Sequence, residues 1–240
     1  MTNNSCPLVE SKCSRSLSSL FNYLLMSLWA LAIGAISIHG QTGSPPRSAT
    51  QIWAEQQINI SVSQRVDLVL LGYVHLGRKS ERPVAEHAGT GLGVSFKIGK
   101  HLTLFPFYTH YENQPFIASR SKEERLTIEG TLKFPLHRLT FSDRNRFEYH
   151  WRTPHLNFIH YRNRMQLERA LNLWNLTGFV ADEIFYDTHF DAWIRNRFSV
   201  GVSKKVNSHF TLELYYLRQS DGHSRPGDLN VIGNTLKFRL

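Results

Sequence analysis

The sequence predicts an all-β fold: an antiparallel transmembrane β-barrel of ten to twelve strands preceded by a signal peptide. Three observations carry this expectation. From Gln51 onward, apolar and polar residues alternate with period two in segment after segment, the pattern of strands with two unlike faces. Short connections alternate with longer ones, as the two rims of an outer-membrane barrel do. An apolar stretch lies near the start of the 240-residue chain, where an export signal belongs.

That stretch comes first. Lys12 and Arg15 precede an apolar run from Leu17 to Ile38, and Ser37, His39, Gly40 and Gln41 lie at its exit. A basic start, an apolar centre and a small residue at the exit predict cleavage after Gly40. An uncleaved anchor helix competes, because roughly 20 apolar residues span a bilayer; Ser18, Ser19, Asn22 and Ser27 dilute the run. Cys6 and Cys13 both fall within residues 1–40. The mature chain therefore has no disulfide framework and no thiolate nucleophile or ligand. Residues 41–50, with Gly43, Pro45 and Pro46, read as a linker, which leaves 51–240 for the barrel.

Composition narrows the class. A mean hydropathy of -0.31 excludes a polytopic helical membrane protein, and 41% hydrophobic against 20% charged residues excludes a disordered chain. The candidate strands are Gln51–Ser61, Arg65–Gly77, His87–Gly99, His101–Tyr111, Lys122–Phe134, Arg138–His150, Phe158–Arg169, Asn175–Tyr186, Ala192–Lys205, His209–Gln219 and Asp228–Leu240. Most have 10 to 14 residues, longer than the usual five or six and long enough to cross an outer membrane at a tilt. Eleven is odd, and bacterial single-chain barrels carry even counts. One segment is therefore expected to be doubled, missed or not spanning. Pro106 interrupts the fourth segment, since proline removes a ladder donor.

Aromatic residues flank the longer connections: Tyr108 and Tyr111, Tyr149 and Trp151, Phe158 and Tyr161, Phe185 and Tyr186, Phe190 and Trp193, Tyr215 and Tyr216. Their bunching predicts one interfacial girdle.

The alternation also sorts charge from apolar surface. Leu126, Ile128 and Leu132 alternate with Arg125, Thr127, Glu129 and Thr131; Phe147 and Tyr149 alternate with Arg146, Glu148 and His150; Phe198 and Val200 alternate with Arg197 and Ser199. A soluble lipocalin-like barrel would turn the apolar face inward, and a membrane barrel reverses this. The export signal, the girdle and the apolar C-terminal alternation Leu236, Phe238, Leu240 favour the membrane form. In that form Arg125, Arg144, Arg146, Arg162, Arg164, Arg195 and Arg197 enter the lumen with Glu129, Glu148, Glu168, Glu183 and Glu213. Such a network either stiffens the interior or lines a narrow path for a small anionic solute.

At these residues the chain resembles a known family. Arg144-Asn-Arg-Phe-Glu-Tyr, Tyr161-Arg-Asn-Arg-Met-Gln-Leu-Glu, Asp182-Glu-Ile-Phe-Tyr, Ile194-Arg-Asn-Arg-Phe and Tyr215-Tyr-Leu-Arg-Gln, in this order and spacing, are similar to the bacterial family catalogued as domain of unknown function 2490. The resemblance covers roughly Ile52 to Leu240 and is firmest from Arg144. It implies an outer-membrane barrel without an assigned activity, and therefore no catalytic residues.

Other chemistry is weakly signalled. An outer-membrane lipid hydrolase would need a Ser or Thr beside a His. His101 with Thr103, His209 with Thr211, and Ser208 are the candidates, none within a recognisable signature, so an enzyme is not expected. His150, His155 and His160 are five apart and fit neither one strand face nor a metal-ligand spacing, so they read as girdle or loop residues. Gly89-Thr-Gly-Leu-Gly reads as strand glycines, because a phosphate loop would need a Lys and a helix. No metal and no cofactor are expected. Basic residues alternate with apolar ones and with Glu, which speaks against a nucleic-acid partner. The expected partners are outer-membrane lipids and lipopolysaccharide, together with the barrel-assembly machinery acting on the C-terminal strand.

Overall fold

The computed structural model describes residues 48–79, 82–113, 121–153, 157–171, 173–224 and 226–240. The expected signal 1–40 and most of the linker 41–50 lie outside them. Ser48 to Thr50 are already strand, so the barrel begins three residues earlier than its alternation suggests.

Eleven strands close into one barrel: β1 (Ser48–Ser61), β2 (Val66–Lys79), β3 (Arg82–Ile98), β4 (Leu102–Asn113), β5 (Ser121–Leu136), β6 (Leu139–Thr153), β7 (Phe158–Ala170), β8 (Leu176–Asp187), β9 (Ala192–Lys205), β10 (Phe210–Asp221) and β11 (Asp228–Arg239). Each pairs antiparallel with its neighbours in sequence, and β1 pairs with β11 in parallel. Eleven lies within the expected ten to twelve; what is corrected is the expectation that one segment is doubled or missed, since all eleven are strands of the closed barrel. An odd number of up-and-down strands leaves the first and last running the same way, so closure requires one parallel seam. The seam is continuous from Ser48↔Asp228 to Asn59↔Arg239. Two backbone bonds extend it: Leu240 N–H donates to the Asn59 carbonyl at 2.8 Å, and Ser61 N–H to the Leu240 carbonyl at 3.0 Å. Among the described residues no helix is long and apolar enough to cross a membrane, a statement about helices alone.

Local chemistry explains the irregularities. The β3–β4 ladder runs from Gly93↔Phe107 to Phe96↔Leu104 and passes over the residues between, where Pro106 has no N–H to give, whereas β4 pairs continuously with β5. Bulges fall at His75/Leu76 and Phe185/Tyr186. The β2–β3 connection is tighter than expected, since Lys79 pairs with Arg82. Gly89, Gly91 and Gly93 face inward on β3; a Cβ at each would meet Tyr111, Thr109 or Phe107 within 2.6 Å. These glycines make room for bulky partners on β4.

Period two sends unlike residues to the two faces. Apolar side chains stand exposed on the outside of every strand: Ile52, Leu70, Leu92, Tyr108, Ile128, Phe147, Met165, Val180, Val200, Leu214 and Ile232, in strand order. The buried side chains include Glu123, Glu148, His150, Arg162, Glu183 and Asp187. They share the interior with Trp53, Phe107, Phe179, Phe185, Leu217 and Val231, so the interior is a mixed core.

Candidate functional site

Register stacks the inward residues of neighbouring strands into rows. One row holds Glu129, Arg146, Arg162, Phe185, Arg195 and Asp221, each opposite the next from β5 to β10. The row below it, toward the short turns, holds Thr131, Arg144, Arg164, Glu183, Arg197 and Gln219. The Arg-Asn-Arg segments of β6 and β7 thus lie face to face, with Arg146 opposite Arg162 and Arg144 opposite Arg164. Like charges directly opposed are destabilising unless carboxylates interleave, and here they do. Arg146 reaches Glu129 at 2.5 Å and Glu148 at 3.4 Å; Arg162 reaches Glu148 at 2.8 Å and Glu183 at 2.9 Å; Arg144 reaches Glu183 at 2.7 Å. Six of the expected lumen residues therefore form one continuous network. Phe185 is its apolar hub, approached by Arg162 at 4.4 Å, Arg197 at 4.7 Å and Arg195 at 5.3 Å.

The other expected lumen residues find different partners. Arg125 pairs with Glu123 at 2.5 Å, and Arg195 with Asp221 at 2.6 Å. Arg197 donates to the Gln219 side-chain oxygen at 2.8 Å and lies over Trp53. Glu168 is held by Lys133 at 2.9 Å, half exposed, and Glu213 by Lys237 at 3.0 Å. Arg164 donates to Gln166 at 2.8 Å, and its buried Nε has no partner among the described residues.

Sequence reading missed Glu123, Asp187, Asp221 and Lys237, all of which carry the inward parity of their strands. The girdle-or-loop reading of His150 and His160 is also corrected, although alternation already set His150 on the face of Arg146 and Glu148. His150 and His160 are buried inside the barrel, their ring centroids 4.5 Å apart. A hairpin connection separates them and resets the strand parity, so their spacing in sequence says nothing about their faces. His155 lies outside the described residues. His150 Nδ1 is 2.7 Å from Glu123 Oε1, and its Nε2 is 3.2 Å from Glu148 Oε2. His160 Nε2 is 2.7 Å from Asp187 Oδ2.

The girdle is narrower than expected. Tyr108, Tyr149, Trp151, Phe190, Trp193 and Tyr216 are exposed. Phe185 points inward, Tyr215 packs against the interior cluster, Tyr111 lies under the Arg125 guanidinium, and Phe158 stacks on His150. Consecutive strand residues cannot share a face. Asn145, Asn163 and Asn196 face outward and are locally satisfied: Asn163 donates to Asp143 at 2.7 Å and to Asn145 at 3.1 Å, and Asn196 donates to Asp182 at 2.9 Å. The histidines weighed for hydrolysis bond to backbone at the short-turn end, His101 Nδ1 to the Lys133 carbonyl at 2.9 Å and His209 Nδ1 to the Arg239 carbonyl at 2.8 Å.

Searches of curated proteins and of solved structures find no match. The family described as protein of unknown function DUF2490 matches residues 47–230, from the first residue before β1 into β11. With the match spanning nearly the whole barrel, the chain belongs to the DUF2490 family.

Proposed function

We propose that the chain is an integral β-barrel of the bacterial outer membrane, exported through a cleaved N-terminal signal, whose charged interior is a structural core. The carrying observation is its polarity. All eleven strands turn exposed apolar side chains outward, while guanidinium and carboxylate groups share the inside with aromatic and aliphatic side chains. In water this arrangement would expose a broad apolar belt and bury charge, both costly. In a bilayer the belt meets hydrocarbon, and the exposed aromatics toward the longer loops sit at headgroup depth. Lipid and lipopolysaccharide are then the surrounding partners, and the assembly machinery engages the β11 edge. The reading is non-enzymatic: Glu123, Glu129, Glu148, Glu183, Asp187 and Asp221 are each engaged by Arg or His.

One observation favours a second reading, a narrow anion path. Arg197 is paired to an amide rather than a carboxylate, and Arg164 keeps an unpartnered buried Nε. Conductance across planar bilayers separates the two readings: a structural core predicts no steady channels, and an anion path predicts small channels whose selectivity falls in Arg197→Gln. Insertion itself is tested by extraction. The protein should resist alkaline carbonate and migrate differently on a denaturing gel before and after boiling; release by carbonate would sink the membrane reading.

A further inference from the structure

One register line crosses four neighbouring strands at the long-loop end. It holds Thr127 of β5, Glu148 of β6, His160 of β7 and Asp187 of β8, each opposite the next. His150 follows two residues after Glu148 on the same inward face. All five are buried, Thr127 and His150 to 1% exposure and Glu148 to 3%. Glu148, His150 and His160 each bring one ligand atom to within 4.8 Å of the others.

We propose that Glu148, His150 and His160 bind a divalent transition-metal ion of the zinc class inside the barrel. The hydrogen bonding points each group toward a common centre. A neutral imidazole carries one N–H. His150 directs Nδ1 to Glu123 Oε1 at 2.7 Å, and His160 directs Nε2 to Asp187 Oδ2 at 2.7 Å. With those nitrogens protonated, the remaining nitrogens carry lone pairs. These are His150 Nε2, 3.2 Å from Glu148 Oε2, and His160 Nδ1, 4.0 Å from the same oxygen. Two lone pairs and a carboxylate oxygen turned toward one another repel, and a cation between them removes the repulsion.

The outer contacts match what metal sites require. Ligating histidines hand their other N–H to a carboxylate, which fixes tautomer and ring orientation; here Glu123 and Asp187 are those positioning residues. Glu148 divides its oxygens, Oε1 taking Arg162 at 2.8 Å and Oε2 facing the histidines. The Thr127 hydroxyl, across the strand from Glu148, is buried without a partner among the described residues. Two imidazoles and one carboxylate suit zinc and its neighbours, and three protein ligands leave a fourth position for water. The site lies within the closed barrel whether or not the barrel is inserted, so it stands or falls separately from the membrane reading.

The test is a cobalt titration of the folded, chelator-stripped protein, with zinc competing. Expected are one Co2+ per chain, visible absorption bands of a low-coordinate site, and displacement by zinc. His160→Ala should abolish the bands. Asp187→Asn should weaken affinity about 10–100-fold. His101→Ala, at a short turn, should change nothing. If His160→Ala does not fold, the conservative Asp187→Asn decides. Absence of saturable Co2+ binding by the folded wild type would overturn the proposal. Unaltered affinity in Asp187→Asn, or in folded His160→Ala, would overturn it too.

Discussion

Glu183 of β8 ties guanidinium groups of β6 and β7 together. It takes Arg144 at 2.7 Å and Arg162 at 2.9 Å, and register sets Arg164 and Arg197 opposite it on both sides. Removing its charge leaves buried guanidinium groups opposed to one another. Glu183→Gln should therefore destabilise the folded barrel by about 3–5 kcal/mol, as loss of one partner of a buried pair does. Urea unfolding in vesicles measures it, and a second change, Arg162→Met, should recover part of the loss. Glu168 supplies the contrast. Its half-exposed Lys133 partner makes Glu168→Gln worth about 0–1 kcal/mol. Period two alone revealed that both glutamates face inward. It could not reveal their partners, because pairing depends on how far each strand is displaced along its neighbour. For Glu168 the nearest cation comes from β5, two strands away. The same gap hid the Glu148–His160 alignment, which exists only once β6 and β7 are in register.

At the scale of strands, alternation was almost fully legible. All eleven segments read from the sequence are strands, β9 with the same ends. What misled was the rule of even counts, which describes how most such barrels close and says nothing about any single segment. The parallel seam follows from the count and can be tested directly. Ile52 and Ile232 are register partners across it, both on the exposed outer face. Paired strand positions lie within disulfide reach. Ile52→Cys with Ile232→Cys should therefore cross-link under mild oxidation and give a circularised chain with altered mobility after boiling. Failure to cross-link in the folded protein, or cross-linking only between molecules, would mean the barrel closes another way. Turn chemistry was less legible. His137, Trp174, Asn175 and Asp191 hold positive φ between 49° and 54°, which only the asparagine and aspartate advertise.

For the whole molecule, alternation by itself sorts residues onto two faces without saying which face is inside. Barrel closure decides that: Val200 is 48% exposed while its neighbour Ser199 is buried. If the outer face meets hydrocarbon, Val200→Arg should cost about 2–4 kcal/mol near mid-membrane, read from unfolding in vesicles. In a water-exposed barrel the same change would be nearly neutral. The outward Asp143, Asn145 and Asn163 group interrupts the apolar belt near mid-strand on β6 and β7, as Asp182 with Asn196 does on β8 and β9, and their mutual hydrogen bonds lower what hydrocarbon contact would cost.

Whether the apolar outer face meets lipid is read most directly by a nitroxide scan along β9 in lipid vesicles, from Arg197 to Ser203. Gly201 is left untouched, because a Cβ there would meet the Leu214 carbonyl at 2.5 Å and the Phe179 ring at 2.6 Å. Period two is expected, with Phe198, Val200 and Val202 open to oxygen dissolved in the bilayer and shielded from a water-soluble relaxant, and Arg197, Ser199 and Ser203 shielded from the bilayer. Equal access of the water-soluble relaxant to Phe198 and Val200, with no collisions from the lipid phase, would contradict it.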